Sequence, residues 1–342
     1  MHGNSPAAVA VTPSIEAEIP ASLVEQVVRD EYGIIARAER LTGERDQNFR
    51  MRTADDSGFV LKIAHAQEPA DVIDLPIAAL LHIERSDPDL PCPRVIRSGE
   101  RTRVTLRDQN GAERTAFLYT FLPGKTLLSA ARSRTQRTAC GELLARLGHT
   151  LRDFRHTATR RAIIWDLMQV PALDAVLQRL PDMRYRQFCA GFVPQFATQI
   201  LPRLRALRAQ PVHNDFNARN LLVDPNDETR IAGIIDFGDL VNTALIADIA
   251  VGVIGQLAAA ETADEAMLEF VEGYRSVEPL RAQELELLPW LIAGRIVQNV
   301  TMTSWYRSQS PGDRHFDAFD ASYFEWRVAL AERLTRTPSP FL

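Results

Sequence analysis

Lysine is almost absent from this 342-residue chain. Among 39 lysine and arginine residues, only Lys62 and Lys125 are lysines. An ammonium is a compact point charge, whereas a guanidinium is a planar fork, so a lysine among so many arginines marks a position where the difference can matter. Lys62 ends the strand-like run FVLKI, and Lys125 follows Pro123-Gly124, where we expect an exposed turn. Lys62 is therefore the candidate for a functional cation.

Cysteine is also scarce, and long apolar runs are missing. Three cysteines at long intervals form neither a metal-binding spacing nor a disulfide framework, so we expect a reducing, cytoplasmic location. The longest apolar stretch, 245–260, contains Asp248 and Gln256 and is too short to span a bilayer, which predicts a buried helix and no membrane partner. Residues 1–20 have no basic start and only a short apolar segment, which indicates a loose leader.

An excess of positive charge is missing as well. The formal net charge is -5, and the arginine-rich stretches 97–107 and 132–137 are interrupted by other residue types. A nucleic-acid partner is not expected, because binding phosphates along a strand requires a clustered basic surface. With 46% hydrophobic and 24% charged residues, the composition is that of a folded soluble protein.

The hydrophobic pattern divides the chain into two lobes. Strand-like runs (RAERL, NFRMRT and FVLKI) are followed by helical spacing over 69–85, and two more strands, RVTLRD and RTAFLYTF, are joined by an Asn-Gly turn. Beyond Pro123-Gly124 the pattern is mostly helical, apart from a hairpin over 211–240. This predicts an α+β protein with a small lobe at 21–122, built from an antiparallel five-stranded sheet and one helix, and a larger, mainly helical lobe at 123–342.

The hairpin carries the most informative residues. In VHNDFNARN, Asp215 follows His213 by two residues and precedes Asn220 by five, and Asp236-Phe237-Gly238 follows on the next strand. Protein kinases use this spacing: the first Asp accepts the proton of the acceptor hydroxyl, and the Asn and the second Asp hold magnesium. A capped turn is the alternative interpretation of Asp215 and Asn220. We assign His213 a scaffolding role in the catalytic loop.

A nucleotide-binding half is expected in the small lobe. A kinase needs a cation that pairs with the phosphates and with a helix carboxylate, and Lys62 has the right position at the end of a strand. Asp74 in DVIDLP is the preferred carboxylate over Glu68 and Glu84. The turn 42–48 could cover the phosphates with backbone amides, although it contains only one glycine, Gly43.

With these residues in place, the chain resembles the aminoglycoside phosphotransferase and choline kinase superfamily, most closely its hydroxylysine kinase-like branch. The resemblance runs from about residue 24 to the end and depends on GERDQNF, VLKI with DVIDLP, HNDFNARN, and GIIDFGD with LIADIAV. It implies a protein-kinase-like bilobal fold. Relatives often have glycine at the position of Asn214 and glutamate at that of Asp74, and the chain departs from them at both.

The resemblance also implies roles for individual residues. Asp215 would be the catalytic base, Asn220 and Asp236 the magnesium ligands, and Asp239 and Asp248 supporting groups. Nucleotide contacts are implied for Lys62, Asp74, Gln47, Asn48, Phe49, Thr120, Phe121 and Leu122. Asp239, Arg295 and Trp305 are candidates for contacts with the acceptor, while helix core is the alternative for the segment that contains the last two.

The expected activity is transfer of the γ-phosphoryl group of ATP or GTP, with Mg²⁺, to a hydroxyl of a small amino compound such as hydroxylysine. An aminoglycoside O-phosphotransferase and a homoserine or amino-alcohol kinase are alternatives within the same chemistry. A nucleotide-binding protein without turnover is an alternative from another class, although such proteins usually lack the base or a metal ligand. The sequence leaves the oligomeric state open.

Overall fold

The first sheet is built from strands in which buried and partly exposed side chains alternate. A computed structural model describes residues 18–41, 46–55, 57–180, 183–309 and 321–342. Strands β1 (Arg37–Leu41), β2 (Gln47–Arg52) and β3 (Gly58–Ile63) form an antiparallel meander. In β2, Phe49 and Met51 are buried while Asn48 and Arg50 are not, as the period of two requires.

Three further strands complete this sheet: β4 (Val95–Ile96), β5 (Val104–Arg107) and β6 (Glu113–Thr120). The strand order is β1-β2-β3-β6-β4, with β5 also paired to β6. The sequence predicts five strands, and the sixth is β4. It has only two residues and follows a proline-rich stretch, so it is too short to show a periodic pattern.

The small lobe has two helices, whereas the sequence predicts that one packs on its sheet. Helix α1 (Ala21–Tyr32) buries Val24 and Val28 against the face that carries Phe49 and Leu61. Helix α2 (Ala70–Ser86) instead shares its core with the larger lobe. Most of the predicted leader lies outside the described residues, but Ile19 is buried and its N–H donates to Gln47 Oε1 at 2.9 Å.

The larger lobe is mainly helical, as predicted, and the α+β, protein-kinase-like class is confirmed. Its helices are α3 (Arg134–Leu151), α4 (Leu173–Leu177), α5 (Arg186–Gln195), α6 (Leu201–Arg205), α7 (Leu245–Gln256), α8 (Ala263–Val277), α9 (Ala282–Gln309) and α10 (Ala321–Arg336). Every residue of α7 is buried, in agreement with the buried helix predicted there. Within the described ranges, no helix is long and apolar enough to cross a membrane.

Five short strands position the loops of the larger lobe: β7 (Lys125–Thr126), β8 (Ala209–Val212), β9 (Leu221–Val223), β10 (Ile231–Ile234) and β11 (Val241–Ala244). β9 pairs with both β10 and β7, and β8 pairs with β11. The predicted hairpin is therefore β9–β10, enclosed by the β8–β11 pair. Lys125, expected on an exposed turn, lies in β7 and pairs with Glu228.

Helices α3 and α8 approach each other backbone to backbone. A Cβ atom added to Gly141 in α3 would lie 2.1 Å from the carbonyl oxygen of Phe270, and one added to Gly273 in α8 would lie 2.1 Å from that of Thr138. Real Cβ atoms do not approach backbone oxygens this closely, so both positions require glycine. The close packing of α3 and α8 thus depends on having glycine, which has no Cβ atom, at both positions.

We predict that Gly273→Ala lowers the free energy of unfolding by about 1–3 kcal/mol or more, because the helices must separate to admit the methyl group. Gly191→Ala is the matched control, since this glycine of α5 has no atom within 4 Å of the new Cβ. The control should stabilise by up to about 1 kcal/mol through helix propensity. Urea unfolding measures both, and wild-type stability of Gly273→Ala would contradict the close approach.

Candidate active site

The loop that carries Asp215 is held between the two small sheets of the larger lobe. His213 to Asn220 lie between β8 and β9, and Asp236 directly follows Ile235 at the end of β10. The N–H of Ile235 donates to the carbonyl oxygen of Asn220 at 2.9 Å, which ties the end of one segment to the start of the other. The local fold therefore brings residues that are distant in sequence to one wall of a cleft of about 1980 Å³.

His213 supports this loop from behind and does not reach the cleft. It is fully buried, its Nδ1 accepts the N–H of Asp215 at 3.2 Å, and its Nε2 lies 3.1 Å from the carbonyl oxygen of Ile235. Burial lowers the pKa of His213 to about 4. The imidazole is therefore neutral and donates from Nε2, which fits the scaffolding role predicted for it.

Asn214 and Asp248 fix the turn before Asp215. Asn214 has a φ of 63°, a left-handed conformation that asparagine and glycine adopt more readily than other residues. Its N–H donates to Asp248 Oδ1 at 2.7 Å. Burial raises the pKa of Asp248 to about 7, against the opposing effect of this hydrogen bond. The asparagine at this position can therefore adopt the left-handed conformation that the turn requires, as a glycine would.

The carboxylate of Asp215 is held by three side chains. Asn217 Nδ2 donates to Oδ1 at 2.7 Å, Asn220 Nδ2 donates to Oδ2 at 2.6 Å, and Arg295 Nη2 lies 3.3 Å from Oδ1. Burial is the main cause that raises the pKa of Asp215 to about 8. The negative charge of Asp239 raises it further, and the positive charge of Arg295 opposes the shift. A carboxylate held in this way can accept a proton near neutral pH, as a general base requires.

Lys62 lies across the cleft between two carboxylates. Its Nζ is 3.0 Å from Asp46 Oδ2 and 3.8 Å from Asp236 Oδ1. Burial lowers the pKa of Lys62, but Asp236 and Asp46 more than offset this and raise it above the ordinary value. Lys62 in turn lowers the pKa of Asp236. Both side chains are therefore charged, and together they can meet polyphosphate and metal.

The expected pair between Lys62 and Asp74 is not formed. Asp74 lies 3.4 Å from Arg103 and 3.4 Å from His156, whereas the lysine uses Asp46, which precedes β2. The reason is helical geometry, because Val72 and Pro76 line the cleft and Asp74 lies about 200° around α2 from either of them. Asp46 is fixed in turn by the N–H of His65, which donates to its Oδ1 at 3.0 Å.

The predicted nucleotide contacts divide between the cleft and the core. Asn48, Thr120, Phe121 and Leu122 line the cleft, but Gln47 and Phe49 point to the opposite face of β2, as strand alternation requires. Gln47 instead accepts the N–H of Ile19, and Phe49 is buried in the core. Residues 42–45 of the predicted phosphate turn lie outside the described residues.

One face of α9 forms the far wall of the cleft. Arg295, Asn299, Thr303 and Tyr306 recur at intervals of three and four residues and line it. Trp305 is on another face: its indole nitrogen is enclosed without a hydrogen-bond partner, and Arg179 lies 5.8 Å from its ring. The suggested cleft contact at Trp305 is therefore not observed, whereas Arg295 and Asp239 both line the cleft.

Sequence reasoning missed several cleft residues, and one of them had a visible signal. Asp46 stands inside the quoted motif GERDQNF. Arg132 and Trp165 come from loops with no motif, so only the folded chain shows that they line the cleft.

The oxygen atoms at the phosphate end fit a magnesium ion. Asn220 turns its Nδ2 toward the main-chain oxygen and the carboxylate of Asp215, which leaves its Oδ1 for another partner, and Asp236 presents a carboxylate in the cleft. Within the described residues, no group of three or more His, Cys, Asp or Glu side chains forms a complete metal cage. Magnesium is commonly bound by one or two protein ligands, with phosphate and water oxygens completing its octahedron.

A kinase-like fold whose cleft brings together the carboxyl groups of Asp215 and Asp236, the amide of Asn220 and the ammonium of Lys62 is typical of a phosphotransferase. The profile of the phosphotransferase enzyme family matches residues 37–285, and the chain belongs to this family. Among curated proteins, it is similar to the hydroxylysine kinases of Danio rerio (26% identical, 86% of both chains covered) and Mus musculus (25% identical, 86% of this chain and 83% of that protein). The protein is a kinase enzyme.

Solved structures with the same fold act on different acceptors. A microcompartment-associated aminopropanol kinase matches with a TM-score of 0.64 and 18% identity, over 92% of this chain and 98% of that chain. A spectinomycin phosphotransferase in complex with ADP and spectinomycin matches with a TM-score of 0.62 and 16% identity, over 94% and 100%. At these identities the likeness shows the fold alone.

We predict that Asp46→Asn lowers kcat/KM for the nucleotide about tenfold, because Lys62 loses the nearer of its two carboxylates. Asp74→Asn is the matched control on α2 and should change kcat/KM less than about twofold. Steady-state kinetics with varied nucleotide compares the two variants. If kcat/KM fell equally in both variants, or fell only in Asp74→Asn, Asp74 on α2 would be the functional partner of Lys62 after all.

Proposed function

We propose that this kinase transfers the γ-phosphoryl group of ATP or GTP, with Mg²⁺, to a hydroxyl of a small amino compound, with hydroxylysine as the first candidate. The observation that carries the proposal is the position of Asp215, which lies in the cleft wall with Asn220 and Arg295 in contact and Asp236 on the adjoining segment. This is the arrangement that a hydroxyl nucleophile and a nucleotide phosphate require of one cleft.

Asn220 and Asp236 would hold the magnesium, which neutralises charge on the phosphates when it is bound. Lys62 contributes a further positive charge at the same end of the cleft. Asp215 accepts the proton of the acceptor hydroxyl as its oxygen bonds to the γ-phosphorus. The bond between the γ-phosphorus and the bridging oxygen breaks, and the nucleoside diphosphate leaves. Catalysis consists mainly of positioning and electrostatic stabilisation.

The acceptor class follows from the charges of the larger lobe together with the relatives. Both curated relatives named above are hydroxylysine kinases that match over most of their length. Beside the base, the described wall of the larger lobe offers Asp239 as its acidic side chain for an acceptor amine, together with several arginines. A polycationic aminoglycoside would be poorly matched by that wall, so a small amino compound is the better acceptor.

A homoserine or other amino-alcohol kinase remains the alternative with the same chemistry. A nucleotide-binding protein without turnover is disfavoured, because the base, both proposed metal ligands and the lysine all line one cleft. The donor is proposed as ATP or GTP, since the hinge sequence at 119–122, which the resemblance implies lies beside the purine, does not discriminate between the two nucleotides.

We predict that Asp215→Asn lowers kcat by about 10²- to 10⁴-fold while nucleotide binding stays within a few-fold, because the base is not a phosphate ligand. Asp153→Asn, an exposed carboxylate that does not line the cleft, is the matched control and should be unaffected. Release of nucleoside diphosphate is measured with ATP and with GTP across hydroxylysine, homoserine, ethanolamine, choline and aminoglycosides.

Removal of magnesium with a chelator should abolish release, and added Mg²⁺ should restore it. Normal turnover by Asp215→Asn would show that another group acts as the base. If no compound in the panel stimulates release although nucleotide and Mg²⁺ bind, the proposed acceptor class is wrong.

A further inference from the structure

The acceptor side of the cleft is lined by arginines, and most of them already have partners. Arg295 contacts Asp215 and donates to the carbonyl oxygen of Trp165 at 2.6 Å. Arg161 donates to the carbonyl oxygen of Gly238, and Arg327 donates to that of Leu257. Their guanidinium groups are thus used, at least in part, to hold the wall together.

Arg132 differs from these arginines. It lines the cleft just before α3, and its Nη1 is enclosed without a hydrogen-bond partner. Apart from burial, which lowers its pKa, the groups that act on it are the Cys140 thiol and the Arg137 guanidinium. Arg137 is itself paired with Glu269 at 2.6 Å. No carboxylate of the described chain is therefore left to neutralise Arg132.

A partly buried guanidinium without a counter-charge is costly, because the enclosed N–H groups lose hydration that no partner replaces. Proteins keep such a group where an anion from a ligand completes it, and a planar guanidinium matches a carboxylate with two parallel hydrogen bonds. The arrangement at Arg132 therefore predicts an anionic ligand group in this part of the cleft.

The position of Arg132 separates it from the phosphate end. The N–H of Leu128, four residues earlier, donates to the carbonyl oxygen of Ala218 at 3.0 Å, so this segment lies against the catalytic loop just beyond the base. Asp46 and Asp236 lie 3.0 and 3.8 Å from Lys62, and neither forms an ion pair with Arg132 among the described residues. The anion that Arg132 would bind is therefore distinct from the phosphates that face Lys62.

We propose that Arg132 binds a carboxylate of the acceptor. The enzyme would then select a hydroxylated amino acid over the amino alcohol formed by its decarboxylation and over its amide. This inference rests on the proposed function and specifies its acceptor. Arg132 is a specificity-determining residue, and the transfer step itself remains with Asp215.

The test compares hydroxylysine with hydroxylysine amide, which keeps the hydroxyl and both amines but lacks the negative charge. With wild-type enzyme we expect kcat/KM to be at least tenfold higher for the acid. In Arg132→Gln this preference should fall to less than threefold, because kcat/KM falls for the acid and not for the amide. Arg132→Lys should keep part of the preference. Arg134→Gln, an exposed arginine paired with Glu272, is the matched control and should keep the wild-type preference.

The outcomes separate this inference from the proposed function. Equal turnover of acid and amide by the wild-type enzyme overturns the inference and leaves the function standing, and it does so without any variant having to fold. A rise in KM for the nucleotide in Arg132→Gln, with the acid-to-amide preference unchanged, assigns the guanidinium to a phosphate and also overturns it.

If neither compound is turned over, the proposed function fails, and calorimetry then decides the inference. Acid and amide are titrated into wild type and Arg132→Gln in the presence of Mg²⁺ and a non-hydrolysable nucleotide. Tighter binding of the acid that is lost in the variant supports a carboxylate site. Equal binding of the two, or no binding of either, overturns it.

Discussion

The geometry of the active site depends on one buried carboxylate, that of Asp248. It lies on α7, a helix buried at every position, and it accepts the N–H of Asn214 in the left-handed turn that precedes the base. Because α7 is fixed on all sides by packing, the acceptor atom is fixed as well. The turn, the direction of Asp215 and its contact with Asn220 follow from that constraint. The backbone N–H of Asn214 is thereby satisfied in the protein interior, whereas its side-chain amide has no hydrogen-bond partner within the described residues.

Charges are distributed unequally along the cleft. At one end, a single lysine lies between Asp46 and Asp236, an arrangement that suits a metal ion and a chain of phosphates. At the other end the wall is arginine-rich, and Arg295 lies 3.3 Å from the carboxylate of Asp215. Asp215 thus lies between the lysine end and the arginine-rich end of one cleft. Under the proposed function, the nucleotide and the acceptor would occupy these two ends.

The same fold occurs in kinases that act on aminopropanol and on spectinomycin, so the fold alone does not select the acceptor. In this chain the wall supplied by the larger lobe comes from α9, α10, the end of α7 and the loops around Arg132 and Trp165. Its arginines and its few carboxylates are the physical basis for expecting a small acceptor that carries negative as well as positive charge.

The sequence by itself determined the class of fold and the local arrangement of Asp215 and its neighbours. Strand alternation and helical spacing are local, and the spacing of Asp215, Asn220 and Asp236 is fixed by one hairpin, so neither needs distant contacts. Local periodicity could not show β4, which has two residues, or the face of α9 that meets the cleft.

Only the tertiary structure decided which side chains meet across the cleft. The Lys62 partner became Asp46 instead of Asp74 because the rotation of α2 directs Val72 and Pro76 to the cleft. Trp305 lies on the core side of α9 and Arg132 lines the cleft, again because of the way their segments pack against their neighbours. Contacts between elements depend on how those elements pack, and packing is set by the whole core rather than by any short segment.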